Sequence, residues 1–420
     1  MIKQIRKLGP GLLFASSAVG TSHLVLSTRA GAHYGLSFLW IILLCLLLKY
    51  PFYDFGARYT AVTGESLIKA YCRQSLGAFY IFFAIILINM FAVTAAVGGV
   101  SAGLLQAVGA FHAQNINTLL ATLIIITALI LSLGGFRLLD KLIKLVSLCL
   151  IVSVVYIFFI VLINGPPEFV ATSGQPSIFS GAALALLVSL LGWMPSGMEA
   201  SVLHSIWVME KQNISASPLE EKDILADFRL GYIITSVLAI VFLLIGAFTV
   251  YGTGVRLEGN SVEFSKALLD IFVDNLGKNA QLGFGVAAFL TIYGTYIVVV
   301  DAFSRAFLKC LNALMKTRTT QTSIVLKKDT AYKITVIAVS IGAYLLFVSF
   351  ASSMLYMLHL ATSMAFVFSP VIAYLNYRSM IYLEENGNYR LPVFLKYLSW
   401  IGLLALGSFA IYYISSLIMS

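Results

Sequence analysis

The stretch IFSGAALALLVSLLGWMPSGMEASVLHSIWV, residues 178–208, decides the fold of this 420-residue chain. It is apolar and long enough to cross a lipid bilayer, which takes about 20 residues of helix. Its centre, however, reads Met194-Pro195-Ser196-Gly197-Met198-Glu199, a run of helix-breaking and polar residues. Such backbone is tolerated at membrane depth only where it is buried in protein or lines a cavity. The stretch is therefore predicted to be a transmembrane helix broken at a functional site.

The first apolar segment, residues 10–32, repeats this pattern with Gly20-Thr21-Ser22-His23 at its centre. The two broken segments stand five spans apart, as the first helices of two five-helix halves would. Broken helices at corresponding positions in two halves indicate the substrate site of a secondary transporter. Freed backbone groups and half-helix dipoles at such breaks supply sites for ions and carboxylates. The alternative is a pair of helices kinked only for close packing.

The composition is that of a membrane protein, with 60% hydrophobic residues, 11% charged residues and a mean hydropathy of +0.94. Soluble domains carry about 25% charged residues, so a soluble enzyme and a nucleic-acid-binding protein are both excluded. No metalloprotease or nucleotide-binding motif occurs, and neither an enzymatic activity nor a cofactor is expected. An all-α membrane protein with eleven spans is predicted. The spans are approximately 10–32, 37–62, 77–107, 117–134, 142–163, 178–208, 230–252, 282–311, 332–350, 354–377 and 394–418.

Basic residues predict the orientation of these spans. With the N-terminus in the cytoplasm and the C-terminus outside, 23 of the 27 lysines and arginines fall on the cytoplasmic side. Only Arg29, Arg256, Lys266 and Lys278 fall outside, as the positive-inside rule requires. The net charge of +9 thus indicates topology and no nucleic-acid partner. The expected location is a bacterial cytoplasmic membrane.

Three acidic residues are predicted to lie in or near the membrane, and each is a functional candidate because burying charge is costly. Asp54 shares a segment with Lys49 and Arg58, and Asp301 precedes Arg305 by one helical turn. Both acids are interpreted as members of structural ion pairs. Glu199 has no basic residue nearby in the sequence and is therefore the leading functional residue.

Four motifs in order resemble the natural-resistance-associated macrophage protein (Nramp) family. They are Gly9-Pro10-Gly11 with Ala30-Gly31-Ala32, then Gly135-Phe136-Arg137-Leu138-Leu139-Asp140-Lys141-Leu142-Ile143, then Leu203-His204-Ser205, then Thr291-Ile292-Tyr293-Gly294-Thr295-Tyr296. The resemblance implies the leucine-transporter (LeuT) type fold, a 5+5 inverted repeat plus one extra helix, with helices one and six broken at mid-membrane. The whole chain, residues 1–420, would form one transmembrane domain, with repeats at about 1–165 and 170–380 and the extra helix at about 394–418.

The family's metal ligands do not carry over. Where the family has Asp-Pro-Gly-Asn, this chain has Gly20, Thr21, Ser22 and His23. When the two sequences are aligned on Leu203-His204-Ser205, the family's Met-Pro-His-Asn corresponds to Gly197-Met198-Glu199-Ala200. The pair Met194-Pro195 matches the family's Met-Pro only if the alignment is shifted by three residues. Ala95 and Gly98 stand where the family has acidic residues in span three. We expect a remodelled site.

Three functions remain open. The first is a secondary transporter for a small polar or cationic solute, either amino-acid-like or a hydrated cation such as Mg²⁺. Its substrate-binding candidates are Gly20, Thr21, Ser22, His23, Met194, Ser196, Gly197, Met198 and Glu199. The second is a divalent metal transporter for Mn²⁺, Fe²⁺ or Mg²⁺ that uses Glu199, His23 and Met194 as ligands. The third is a non-transporting membrane sensor or scaffold.

The expected partners are the solute, the lipid bilayer and a coupling proton or Na⁺. Candidates for the coupling group are Glu199, His23 and His204, because each titrates near neutral pH in a suitable environment.

Overall fold

The computed structural model describes residues 9–108, 114–165, 181–215, 218–253, 266, 281–318, 328–350 and 354–419, and the regular structure in them is helical. A π-helix, Ser22–Ser27, and a 3₁₀-helix, Gly35–Phe38, accompany the α-helices. The α-helices are α1 Pro10–Ala18, α2 Thr28–Tyr34, α3 Leu39–Thr63, α4 Leu67–Gln74, α5 Leu76–Ala107, α6 Ile116–Asn164, α7 Gly181–Trp193, α8 Ala200–Ile214, α9 Glu221–Thr249, α10 Gln281–Arg318, α11 Lys328–Ser349, α12 Met354–Glu385 and α13 Val393–Met419.

Eight helical stretches within the described residues are long and apolar enough to cross a membrane. Two of them, Ser22–Thr63 with 42 residues and Ile116–Asn164 with 49, are at least twice the length that one crossing needs. Each contains a glycine with left-handed backbone, Gly35 at φ 57° and Gly135 at φ 55°, where the helical path is interrupted. Each of these stretches therefore holds parts of two crossings, in agreement with the span predictions.

The two predicted helix breaks are present. Helix α1 ends at Ala18, a turn covers Val19 and Gly20, and helical structure resumes at Thr21 just before the π-helix. Helix α7 ends at Trp193, and α8 begins at Ala200 after a segment that contains a cis Met194–Pro195 peptide bond. With both broken segments counted as one crossing each, the eleven predicted spans are accounted for.

The broken segments are surrounded by unbroken helices. Helix α9 packs along α1, the π-helix and α2, while α3 packs against α8 and α9. Helix α10 packs against α5 and contacts both α1 and α8. The last helix, α13, lies outside this group against α3 and α12, and more of its side chains face outward. Both breaks are thus held inside a cage of continuous helices.

Helices α2 and α9 approach unusually closely because each presents a glycine to the other. A Cβ atom on Gly31 would lie 2.0 Å from the carbonyl oxygen of Leu243, and a Cβ atom on Gly246 would lie 2.0 Å from that of Thr28. Small residues at such contacts let helix backbones meet inside a membrane, where no hydrophobic effect draws helices together. This crossing fixes the outer half of the first broken span against α9.

Two predictions from the sequence are corrected here. Two acids beyond the predicted three are buried, Asp140 and Asp227. Lys49, which the charge distribution placed among cytoplasmic residues, is 0% exposed. The division into two inverted repeats stays a prediction.

The glycine contact predicts different effects for the same substitution at two helical sites. Gly246→Ala should destabilise the fold by about 1–3 kcal/mol, because the added carbon overpacks the crossing. Gly407→Ala in α13 meets no atom within 4 Å and should be neutral or slightly stabilising. The melting temperatures of both purified variants in detergent check this. Equal shifts would contradict the close crossing.

Candidate functional site

A small cavity lies between the two helix breaks. Its volume is about 40 Å³, room for about three water-sized spheres. The breaks and α10 supply its polar wall, formed by Ser17, Thr21, Ser22, Ser196, Glu199 and Thr295. Helices α5, α7, α8 and α10 supply its apolar wall, which includes Val93, Val97, Trp193, Leu203, Val299 and Phe303. The cavity therefore suits a small group that is polar at one end and apolar at the other.

Glu199 is the charged residue among the described residues that line this cavity. Its side chain is buried, and Oε2 makes no hydrogen bond to any described residue. The amide of Asn89 and the backbone N–H of Glu199 itself lie beside the carboxylate. The residue immediately precedes α8, so the positive end of that helix dipole also faces the carboxylate. These groups lie beside the carboxylate without a hydrogen bond to Oε2, so one oxygen is left for a ligand.

Gly197 makes room for this carboxylate. A Cβ atom at Gly197 would lie 2.4 Å from Oε1 of Glu199 and 2.6 Å from Oε2. Real Cβ atoms do not approach other atoms this closely, so a larger residue at this position would push the carboxylate away. The side chain of Glu199 in its observed position thus requires glycine at residue 197.

The carbonyl groups at the second break are occupied by side chains of α3. The ammonium group of Lys49 donates to the carbonyl oxygens of Leu191 at 2.8 Å and Met194 at 3.0 Å. It also lies 3.2 Å from that of Ser196 and 3.3 Å from that of Gly192. In addition, the Tyr53 hydroxyl donates to Ser196 O at 2.5 Å, and the Cys45 thiol to Met194 O at 3.1 Å.

The carbonyl groups at the first break are occupied in the same way. Thr295 of α10 donates its hydroxyl to Ser16 O at 2.6 Å. The Ser22 hydroxyl donates to Ala18 O, and Nδ1 of His23 lies 2.9 Å from the same oxygen. At neither break are these helix-end carbonyls free to bind an incoming cation, although such groups are otherwise ready-made cation ligands.

The structure brings five of the predicted residues to the cavity: Thr21, Ser22, Ser196, Gly197 and Glu199. The structure places the other predicted residues beside the cavity. Gly20 packs against Thr295, where a Cβ atom would lie 2.4 Å from the hydroxyl oxygen. Met194 and Met198 are fully buried and do not belong to the lining.

The two predicted histidines also point elsewhere. The imidazole of His23 faces α9, with Nε2 2.9 Å from Thr235 O. The ring of His204 lies between Phe14 and Phe228, with centroid distances of 6.3 Å and 5.4 Å. Neither ring nitrogen of His204 has a hydrogen-bond partner among the described residues. The proposed metal ligands Glu199, His23 and Met194 therefore do not converge, and the described residues contain no group of three His, Cys, Asp or Glu side chains that could hold a metal.

Sequence reasoning missed three residues at this site: Lys49, Asn89 and Thr295. Asn89 is an amide within the mostly apolar third span, so its polarity was a usable signal. Thr295 belongs to the eighth-span motif and was treated only as part of a resemblance. Lys49 lies close to the apparent end of an apolar run, and its sequence neighbours Asp54 and Arg58 suggested an ion pair instead.

The other acids that are buried in the described residues each have basic or backbone partners, although Oδ1 of Asp140 makes no hydrogen bond within the described part of the chain. Arg58 pairs with Asp54 at 2.6 Å, as predicted, and Arg305 pairs with Asp301 at 2.8 Å. Asp301 also accepts hydrogen bonds from Trp207 and Tyr332. Two further buried acids, Asp140 and Asp227, lie on the cytoplasmic side of the predicted topology. Lys144 and Lys211 both bind Asp140, and Asp227 accepts the backbone N–H groups of Gly9 and Gly11.

A cage of continuous helices around two broken ones, with a polar cavity between the breaks, defines a secondary transporter of the LeuT-type fold. Solved structures agree with this architecture. The chain matches a manganese transporter of Eremococcus coleocola with a TM-score of 0.64 and 15% identity, covering 97% of this chain and 86% of the other. It matches MhsT in complex with L-phenylalanine with a TM-score of 0.63 and 14% identity, covering 97% of both chains.

The chain belongs to the Nramp family. Residues 11–416 match the family model described as natural resistance-associated macrophage protein-like. An uncharacterized protein of Pasteurella multocida is 34% identical over 413 residues, which are 97% of this chain and 92% of the relative. The fold and family expected from the sequence are thereby confirmed, and the protein is an integral membrane transporter.

The contacts of the buried acids predict opposite responses to neutralisation. Asp301→Asn removes one partner from a buried, hydrogen-bonded ion pair and should cost about 3–5 kcal/mol. Glu199→Gln removes a carboxylate that lacks a full set of partners, so stability should change by less than about 1 kcal/mol or increase. Melting temperatures of the two variants in detergent provide the comparison. A large loss of stability for Glu199→Gln would indicate a structural role.

Proposed function

We propose that this protein is a secondary transporter for a small organic solute that carries one positive charge, such as a primary amine or an amino-acid-like zwitterion. The solute would bind in the cavity between the two broken helices and cross the membrane by alternating access. The observation that carries this proposal is the carboxylate of Glu199, which faces the cavity with an unpartnered oxygen.

The charge of the solute follows from the cost of burying a carboxylate. An ion removed from water without a partner costs several kcal/mol, and an ammonium group of the solute would supply that partner. Thr21, whose hydroxyl also lacks a hydrogen-bond partner among the described residues, could orient the polar end. The apolar wall would receive an aliphatic portion of the solute, which a bare ion does not have.

A dehydrated divalent metal fits this site less well. Such an ion needs several oxygen, nitrogen or sulfur ligands that converge on one point. The cavity offers one carboxylate and hydroxyl groups, while the carbonyls at both breaks are engaged by Lys49, Thr295 and Ser22. The ammonium of Lys49 also lies close enough to interact electrostatically with Glu199, which lowers the negative charge that a divalent ion would meet.

Divalent metal transport is the second candidate. Membership of the Nramp family supports it, as does the similarity to Eremococcus coleocola structures described as manganese transporters. A metal would bind Glu199 together with His23 and Met194, or travel as hydrated Mg²⁺. The first option requires His23 to leave Thr235 O and Met194 to turn into the cavity, because neither lines it now.

Glu199 is also the group that we propose to couple transport to a proton. A carboxylate that binds the solute's cation can bind a proton when the solute leaves, which links the two movements. His23 and His204 are weaker coupling candidates because they face α9 and an aromatic cluster. A Na⁺-coupled mechanism is the alternative. The proposed topology keeps the N-terminus in the cytoplasm of a bacterium and the C-terminus outside, as the distribution of basic residues favours.

Uptake into proteoliposomes tests this function. With an inward proton gradient, we expect saturable uptake of at least one member of a radiolabelled panel that runs from methylammonium to zwitterionic amino acids. Glu199→Gln should reduce that uptake at least tenfold and remove its dependence on pH, because the binding carboxylate is lost. Glu385→Gln, which changes an acid exposed at the end of α12, is the matched control and should retain uptake.

Manganese uptake in the same vesicles distinguishes the two candidates. The proposal predicts no Mn²⁺ uptake above that of empty liposomes. Saturable Mn²⁺ uptake that disappears in Glu199→Gln would contradict the organic-solute proposal and support a metal transporter with a variant ligand set.

A further inference from the structure

Lys49 has a place that is unusual for a lysine inside a membrane protein. Its side chain is 0% exposed, and its ammonium makes no ion pair at hydrogen-bond distance with any described acid. Four backbone carbonyl oxygens surround it instead, at 2.8 to 3.3 Å from Nζ. All four belong to residues 191–196, where α7 ends and the chain leaves helical geometry.

These carbonyls form the chemical equivalent of an alkali-cation site. The C-terminal end of a helix carries a partial negative charge and carbonyls without intrahelical partners. Rings of backbone carbonyls replace the hydration shell of K⁺ and similar ions in channels. An ammonium ion has the same charge as K⁺ and donates to the same oxygens.

We propose that Lys49 is a tethered cation that fills a monovalent-cation site at the sixth-span break, and that truncating its side chain opens this site to free ammonium or an alkali ion. The break is then stabilised in the wild-type protein without any free cation at this position. The site adjoins the solute cavity through Ser196, which belongs to both, whereas Lys49 and Leu191 do not line the cavity.

Neighbouring donors support a preformed shell. The Tyr53 hydroxyl and the Cys45 thiol hold Ser196 O and Met194 O from the side of α3. Both donors stay in place when Lys49 is shortened, so two of the four carbonyls remain oriented toward the vacated position. A free cation of ammonium size would find those oxygens already arranged.

Thermal stability in different salts tests this assignment without any transported solute, so its outcome is independent of the proposed function. The samples are purified wild type, Lys49→Ala, Lys49→Met and Lys69→Ala, in chloride salts of choline, Na⁺, K⁺ and ammonium. In choline, Lys49→Ala should melt about 5 °C or more below wild type, since four buried carbonyls lose their donor. Ammonium or K⁺ should recover at least half of that loss.

The controls separate cation binding from a general salt effect. Lys49→Met removes the charge but keeps the volume of the side chain, so no ion should restore its stability. Lys69→Ala changes an exposed lysine on α4 and should follow wild type in every salt. Wild type should melt within about 1 °C in all four salts, because its site is already filled.

Two results would overturn the proposal. The first is a Lys49→Ala protein whose melting temperature is equally low in choline, Na⁺, K⁺ and ammonium. The second is a wild-type protein that Na⁺ or K⁺ stabilises by several degrees relative to choline, since that would show a free-cation requirement. Such a stabilisation of the wild type would overturn the proposal even where Lys49→Ala does not fold.

Discussion

The structure depends on how two helices can end in the middle of a membrane. Helix ends leave backbone carbonyls without partners, and lipid offers no water to satisfy them. Here side chains from unbroken helices do so: Lys49 and Tyr53 of α3 at the second break, and Thr295 of α10 at the first. The continuous helices therefore stabilise the breaks as well as enclose them.

This arrangement determines what the cavity can bind. Because the helix-end carbonyls are engaged, the strongest interaction left for a ligand is the carboxylate of Glu199, held in place by the absence of a side chain at Gly197. Structural acids such as Asp301 have complete sets of partners and differ in this respect. The proposed solute follows from this site, because one negative charge would match one ammonium group.

Much of this was predictable from the sequence, because hydropathy, helix-breaking residues and ion pairs one turn apart are local signals. The spans, both breaks and the Asp54–Arg58 pair all follow from neighbours in the chain. The choice of Glu199 as the leading functional residue rests on the same kind of signal and stays a prediction. The rest depends on contacts between distant segments. The reach of Lys49 across to residues 191–196 and the turning of His23 toward α9 leave no trace in local sequence.

The central claim is that the helix-end carbonyls are satisfied internally, so the breaks do not bind a divalent metal. Anomalous diffraction at the manganese absorption edge, from crystals grown with Mn²⁺, tests it most directly. We predict no anomalous peak between the breaks, and the ammonium of Lys49 should still donate a hydrogen bond to the carbonyl oxygen of Leu191. A manganese peak bound by Glu199 and a helix-end carbonyl would contradict it.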